Sequence, residues 1–217
     1  MRAPGGRRQV SDRHPTRAHA GRPNTTSGLV VWLVRHAESV WNQAGLVQGQ
    51  ADAPGLTPSG AAHARALAEF LAGTGAAAVV SSDLRRAVET ARPIAARLGA
   101  TLVTDRRLRE RNLGRLEGGP ASLLGPELSG DTATGQVDPD VRPAGGETLR
   151  ELSARVEDWL EAVRWSPPAP SFVAVTHDGV LRALRALLSG RPPEAMAAPS
   201  IPNGVVWRVE LGDARPG

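Results

Sequence analysis

The protein is 217 residues long, with 41% apolar and 22% charged residues, which suits one α/β domain and is short for two. The chain lacks cysteine, lysine and tyrosine, which excludes disulfides, thiolate nucleophiles, cysteine zinc sites, Schiff bases and lysine-containing phosphate loops. The net charge is +4: residues 1–27 have six arginines and one acid, and the remainder, with 20 arginines against 21 acids, is close to neutral and offers no argument for nucleic-acid binding.

Residues 1–27 are predicted to be a disordered tail, because they are rich in Arg, Pro and Gly and have almost no large apolar side chains. A targeting peptide or a nucleic-acid arm is the alternative. A secretory signal needs an apolar stretch of roughly 7–15 residues, and the first apolar run, Leu29 to Val34, is shorter. No run approaches the length of a membrane span. We therefore expect a cytoplasmic protein with no membrane partner.

From residue 28 onward, short apolar strands alternate with amphipathic helices. Strands are predicted at residues 29–34, 77–81, 101–104, 171–175 and 205–211, where apolar runs rich in β-branched residues are continuous. Helices are predicted at residues 58–71, from a cap at Ser82 or Asp83 to Leu98, along residues 149–163, and at residues 180–188. This alternation predicts an α/β three-layer sandwich, with a mostly parallel central sheet and helices on both faces.

Residues 28–217 are therefore interpreted as one catalytic domain that follows the tail. Within it, residues 117–146 break the alternation, because they are rich in Gly, Pro, Asp, Ser and Thr. The segment is too long for a plain connection in a compact domain. We interpret it as a surface excursion, with a lid beside the active site as one reading.

Reactive side chains follow the C-terminal ends of the predicted strands, where open α/β sheets place their sites. Two of the five histidines, His36 and His177, occupy such positions, as do Arg35 and Glu110, and Arg86 lies in the first turn of a helix. Guanidinium groups match phosphate oxygens, a neutral imidazole can attack phosphorus, and a carboxylic acid can protonate a leaving alkoxide. Each residue alone fits a structural role, but together they indicate phosphoryl transfer.

Six short motifs follow one another along residues 29–207. They are Arg35-His36-Ala37-Glu38-Ser39 with Asn42, Leu56-Thr57 with Gly60, Ser82-Asp83-Leu84-Arg85-Arg86-Ala87 with Thr90-Ala91, Leu108-Arg109-Glu110 with Gly114 and Glu117-Gly118, Gly145-Gly146-Glu147-Thr148, and Thr176-His177-Asp178-Gly179. Together they resemble the histidine phosphatase superfamily, the phosphoglycerate mutase-like enzymes.

The resemblance implies a phosphohistidine mechanism. His36 attacks the phosphorus, while Glu110 protonates the departing oxygen and later acts as the base for water. The phosphate oxygens are held by Arg35, Arg86 and His177, and the further substrate-binding residues are Asn42, Ser39, Thr176 and Asp178. Glu110, partly desolvated beside a phosphate dianion, is expected to keep its proton, and His177 is expected to be protonated.

Neither a metal nor another cofactor is expected, because the sequence offers no HExxH motif and no cluster of carboxylates. Two departures from the family pattern bear on the site. An extra residue, Gly55, precedes Leu56-Thr57. Asp178 replaces the glycine that more often follows the second histidine, and its carboxylate is expected to raise the pKa of His177.

The function predicted from these residues is hydrolysis of a small phosphate monoester. A mutase must also hold a carboxylate, for which the resemblance predicts basic residues after the proton donor. None occurs between Arg115 and Arg142, whereas five acids do, so a hydrolase is favoured. Phosphoglycerate mutase activity and a non-catalytic phospho-ligand binding module remain the alternatives. The physiological ester and the oligomeric state stay open, and a homodimer is compatible with the sequence.

Overall fold

The computed structural model describes residues 28–124, 138–192 and 200–212. The strands are β1 (Leu29–Arg35), β2 (Ala78–Ser81), β3 (Leu102–Thr104), β4 (Ser171–Thr176) and β5 (Val206–Leu211). The α-helices are α1 (Val40–Gln43), α2 (Pro58–Ala72), α3 (Arg85–Leu98), α4 (Leu149–Trp165) and α5 (Asp178–Leu188), with single 3₁₀ turns at Arg106–Leu108, Gly114–Leu116 and Ala121–Leu123.

One five-stranded sheet has the order β3-β2-β4-β1-β5. β4 lies parallel to both β1 and β2, β3 lies parallel to β2, and β5 runs antiparallel to β1 at the edge. Parallel pairing aligns Arg35 with Thr176, so that the chain leaves β1 and β4 side by side. The predicted α/β class, with a mostly parallel sheet, is confirmed.

Two separate apolar cores cover the two faces of the sheet. On one face, residues of α4 and α5 pack on β1 and β4, with Trp159 against Phe172 at the centre. On the other face, residues of α2 and α3 pack on β1, β2 and β4, with Leu71 and Ile94 fully buried. Because both faces are covered, the central strands are apolar along their whole length, as the sequence predicted.

The structure corrects the predicted start of α3. The N-cap residue is Leu84, and no side chain caps the helix. Asp83 instead pairs with Arg109, with Oδ1 at 2.6 Å from Nε, and the Ser82 hydroxyl lies 2.8 Å from Nε2 of His177. Neither predicted cap is therefore a cap, because tertiary partners engage both side chains.

The segment 117–146 lies partly within the described residues. Its first part forms the 3₁₀ turn Ala121–Leu123, and Leu46 pairs with Pro120 in an isolated antiparallel bridge. The predicted excursion at residues 125–137, the tail at residues 1–27 and the final five residues lie outside the described part of the chain. No described helix has the length and apolar character needed to cross a membrane.

Candidate active site

His36 is held just beyond the end of β1 by backbone contacts on both sides. Its backbone N–H donates to the carbonyl of Thr176, which continues the pairing of β1 with β4. Its carbonyl accepts from the side-chain amide of Asn203 at 3.0 Å. The ring is 2% exposed and lies 5.0 Å, centre to centre, from the ring of His177.

The environment of His36 makes it a neutral imidazole near pH 7. Burial, aided by the charges of Arg86 and Arg35, holds the pKa of His36 well below its usual value. Nδ1 lies 2.8 Å from the carbonyl oxygen of Ala37, and a carbonyl can only accept a hydrogen bond. Nδ1 therefore carries the proton and Nε2 retains its lone pair, as a nucleophile requires.

Three buried nitrogen atoms near His36 have no hydrogen-bond partner among the described residues: Nε of Arg35, Nε of Arg86 and Nδ1 of His177. The terminal nitrogens of Arg86 donate to the carbonyls of Gly49 and Ala51, which fixes its guanidinium plane. Burial lowers the pKa of Arg86 to about 10, so it remains charged at neutral pH. Buried cationic donors without an acceptor are costly, and an anion would satisfy them.

His177 directly follows β4, at the N-cap position of α5, and is completely buried. Burial, followed by the charges of Arg86, His36 and Arg35, holds the pKa of His177 well below its usual value. The expectation that Asp178 raises this pKa is wrong, because its carboxylate accepts from the N–H of Ile201 and pairs with Arg182. A phosphate dianion beside His177 would act in the opposite direction and favour the protonated ring.

Glu110 lies on the cavity wall and is positioned through both its carboxylate and its backbone. Its carboxylate accepts from the N–H groups of Arg111, at 2.7 Å, and Gly179, at 3.1 Å. Its carbonyl accepts from the side chains of Gln50, at 3.0 Å, and Arg155. These contacts come from three separate segments, so the carboxyl group is held in one place.

Two of the predicted substrate-binding residues are not among the residues that line the cavity, because protein partners engage their hydroxyls. Ser39 caps α1 and donates to Gln48 at 2.6 Å. Thr176 donates to the carbonyl of Leu108 at 2.8 Å. Asn42 does line the cavity, although its side-chain oxygen already accepts from Ser39 and Asn203. The hydroxyls of Ser39 and Thr176 thus contact protein groups rather than the cavity.

Asp178 also lines the cavity and shares a contact with Arg35. Its carboxylate accepts from the N–H of Ile201 at 2.8 Å, and Arg35 donates to the carbonyl of the same residue. The guanidinium of Arg35 also lies 3.2 Å from the hydroxyl of Ser200. The short segment before β5 therefore fixes the arginine beside the nucleophilic position.

The reactive residues open into one cavity of about 540 Å³. Six of the predicted site residues line it, which are Arg35, His36, Asn42, Arg86, Glu110 and Asp178, while His177 is fully buried and is not among the lining residues. Sequence reasoning missed four polar lining residues, which are Gln48, Arg111, Arg182 and Ser200. It also missed the bracing residue Asn203, whose only signal was the turn-forming sequence Pro202-Asn203-Gly204.

Arg111 and Arg182 offered a weak sequence signal. Arg111 follows the predicted proton donor directly, and Arg182 lies one helical turn after Asp178. In the part of the chain that the structure describes, no three His, Asp or Glu side chains are grouped where they could hold a metal ion.

The fold and the site define an α/β protein with a mostly parallel sheet, in which two buried histidines lie close to the buried arginines Arg35 and Arg86. Residues 31–217 match the family model of the histidine phosphatase superfamily, branch 1. The chain belongs to this superfamily, as the sequence motifs predicted.

The similar proteins include both mutase and phosphatase names. The chain is 35% identical over 193 residues to a probable phosphoglycerate mutase GpmB of Yersinia enterocolitica, covering 86% of each chain. It is similar in structure to mycobacterial glucosyl-3-phosphoglycerate phosphatase bound to VO3, with TM-score 0.72, 29% identity and coverage of 82% of this chain and 90% of that one. It is also similar to the alpha-ribazole phosphatase of Shigella flexneri, with TM-score 0.74, 27% identity and coverage of 84% and 91%.

Proposed function

We propose that the protein is a metal-independent phosphomonoester hydrolase that acts through a phosphohistidine at His36. One observation carries the proposal: the neutral, Nδ1-protonated ring of His36 sits beside buried nitrogens of Arg35, Arg86 and His177 that have no partner among the described residues. These groups suit a phosphoryl group bound with its phosphorus next to Nε2.

In the first step, Nε2 of His36 forms a bond to phosphorus and the bond from phosphorus to the ester oxygen breaks. The carboxylic acid of Glu110 gives its proton to that oxygen, so the alcohol leaves neutral. Arg35, Arg86 and His177 stabilise the charge on the three remaining oxygens. The positive charge placed around His36 lowers the cost of bringing a dianion to a buried site.

In the second step, a water oxygen bonds to phosphorus and the bond from phosphorus to Nε2 breaks. Glu110, now a carboxylate, takes a proton from the water, and inorganic phosphate is released. His36 returns to its neutral form, which the low pKa of its buried ring favours.

Hydrolysis is preferred over a mutase reaction because of the composition of the segment that follows the proposed proton donor. A mutase must bind a carboxylate and retain a bisphosphate, which requires further cationic groups. The residues between Arg115 and Arg142 include five acids and no base. Among the residues of this segment that the structure describes, Ala121 and Leu124 line the cavity. Two of the similar solved structures are named as phosphatases, which supports the same choice.

The test is release of phosphate from an aryl phosphate at pH 5–8 with EDTA present, for wild type, His36→Ala and His63→Ala. His63 lies exposed on α2 and provides a matched control. We expect His36→Ala to lower the rate by a factor of about 10³ or more and His63→Ala to leave it within about twofold. A rate for His36→Ala within tenfold of wild type, or loss of activity in EDTA, would contradict the mechanism.

A trapping experiment separates the alternatives. Acid-labile labelling of His36 by a labelled ester, followed by release of the label to water, supports the hydrolase. Transfer of the label to 3-phosphoglycerate would instead identify a mutase. Phosphate binding with neither labelling nor release would identify a non-catalytic binding module.

A further inference from the structure

The cavity has an apolar side that the phosphoryl chemistry does not use. Seven apolar residues line it, and we call them the apolar wall: Leu46, Val47, Leu113, Ala121, Leu124, Leu149 and Leu152. They come from the segment after α1, the 3₁₀ turns that follow Glu110, and the first turn of α4. None of them belongs to the sheet that carries His36 and His177.

The cavity is larger than a phosphate group needs. At about 540 Å³ it falls within the usual range of pockets that hold an entire small organic molecule. The phosphoryl group occupies the polar end beside Arg35, His36 and Arg86. The alcohol part of the ester therefore lies in the remaining space, where the apolar wall contributes half of the lining side chains.

The charges near the wall disfavour an alcohol that carries a second anionic group. Two further arginines line the cavity, but Arg111 donates to the carbonyls of Glu147 and Val141, at 2.7 and 2.8 Å. Arg182 pairs with the carboxylate of Asp178 at 3.3 Å. The carboxylate of Asp178 adds negative charge to the same cavity. A carboxylate or a second phosphate on the substrate would thus meet cations that already have partners, and the carboxylate of Asp178.

We infer that the cavity selects phosphate monoesters of an uncharged, largely apolar alcohol. This inference rests on the proposed function and names the substrate class of that site. The wall removes the apolar part of the alcohol from water, while the arginines and His177 bind the phosphoryl group. Small hydrophilic esters such as glycerol phosphate or 3-phosphoglycerate leave the wall uncovered and gain nothing from it.

The first measurement is binding of a series of n-alkylphosphonates, from ethyl to hexyl, by calorimetry. Their carbon–phosphorus bond is not hydrolysed, so binding is measured independently of turnover. We expect the dissociation constant to fall about fourfold for each added methylene, the gain from moving one methylene out of water. Dissociation constants within twofold across the series would overturn the inference, whether or not the protein hydrolyses esters.

Hydrolysis of the matching alkyl phosphates provides the second measurement. Ethyl to hexyl phosphates have nearly equal leaving groups, so kcat/KM should rise with chain length in parallel with phosphonate binding. It should exceed that for glycerol phosphate and 3-phosphoglycerate. Equal or higher kcat/KM for the hydrophilic esters would overturn the substrate class. If binding depends on chain length but no phosphate is released, the inferred role of the apolar wall in binding stands and the proposed hydrolysis is overturned.

Single substitutions locate the effect at the wall. Leu124→Asn and Leu46→Asn replace half-buried wall residues, and Leu123→Asn provides a matched control, because Leu123 is 39% exposed and does not line the cavity. Each wall variant should weaken binding of hexylphosphonate about five- to tenfold and of ethylphosphonate less than twofold. An equal loss in Leu123→Asn, or no loss in either wall variant, would contradict the assignment.

Discussion

At the scale of single residues, the proposed chemistry depends on which nitrogen of each buried histidine carries its proton. The carbonyl of Ala37 makes Nδ1 the protonated nitrogen of neutral His36. The second ring is oriented by Ser82, whose hydroxyl lies 2.8 Å from Nε2 of His177 and also accepts from the N–H of Leu84 at 3.3 Å. Ser82 thereby leaves Nδ1 of His177 as the nitrogen available to a phosphate oxygen.

Ser82→Ala tests this orientation. The substitution removes the hydrogen-bond partner that the described part of the chain gives the His177 ring and frees the ring to turn, so we expect kcat to fall about tenfold or more. Stability should fall by about 1–3 kcal/mol, the usual effect of leaving a buried polar group unpaired. Steady-state kinetics and urea unfolding measure the two effects.

Ser81→Ala is the matched control for Ser82→Ala. Ser81 is equally buried, and its hydroxyl donates to the carbonyl of Ser82 at 2.8 Å without touching His177. It should lose stability but keep kcat within about twofold, because the ring keeps its partner. Equal kcat losses in the two variants would show that Ser82 acts through general packing rather than through His177.

At the scale of elements, the start of α2 supports the segment that carries the nucleophile. The N–H of Thr57 donates to the carbonyl of Glu38 at 3.0 Å, and the Thr57 hydroxyl lies 2.8 Å from the Glu38 carboxylate. Gly60, in the first turn of the helix, packs against the same carbonyl so closely that a Cβ would overlap it. The helix can therefore approach the segment after β1 only with glycine at this position.

Gly60→Ala should destabilise the protein by about 1–3 kcal/mol, because the added methyl forces α2 and the backbone of Glu38 apart. Whether the free energy of unfolding falls or rises distinguishes the two cases, since alanine in place of glycine in an unconstrained helix would stabilise the protein by about 1 kcal/mol. Activity should also fall, because the displaced segment begins next to His36. Urea unfolding and phosphate release measure the two effects.

The control for the helix is Ser59→Ala, on the same turn but exposed. We expect it to leave the free energy of unfolding within about 0.5 kcal/mol of wild type and the rate of phosphate release within about twofold. A Gly60→Ala protein as stable as Ser59→Ala would show that the close approach to Glu38 can relax without cost.

At the scale of the whole molecule, two neutral histidines buried side by side make stability depend on pH. Burial is the largest cause of the low pKa of both His36 and His177. In the unfolded chain each would titrate near its ordinary value of about 6.5. Below that pH the unfolded state binds more protons than the folded state. The free energy of unfolding therefore has its full value above about pH 6.5 and decreases as the pH falls below it.

We expect the free energy of unfolding to decrease between pH 7.5 and 5.5, with a limiting slope of about 1.4 kcal/mol per pH unit for each histidine. Urea unfolding across this range measures the slope. The range lies above the pH at which ordinary carboxyl groups titrate, so these groups contribute little to it. His36→Gln removes one of the two groups and should reduce the slope by about half. A free energy that is constant over this range would contradict neutral burial of the pair.

The sequence predicted the alternation of strands and helices, because buried strands and amphipathic helices leave local periodic patterns. It also predicted His36, Glu110 and His177 as reactive residues, since they follow apolar runs that end at one edge of a parallel sheet. The family resemblance added the roles of Arg35 and Arg86. The prediction of the fold class needed only residue type and spacing, and the fold and the family membership are now confirmed.

The contacts that place these groups could not be predicted in the same way. Ser82 looked like a helix cap, yet its partner is His177, 95 residues further along the chain. Asp178 looked like a partner of His177, yet it binds the N–H of Ile201. A side chain's own neighbours in sequence do not reveal which of several acceptors or donors the fold brings within reach.

By itself, the sequence determined the class of fold and predicted a set of candidate reactive residues, because both follow from local patterns along the chain. Only the tertiary structure decided that β1 and β4 are neighbours, which brings the rings of His36 and His177 to 5.0 Å from each other. It also decided that the apolar wall faces the same cavity. Such juxtapositions arise from packing between distant segments, which the pattern of any one segment does not encode.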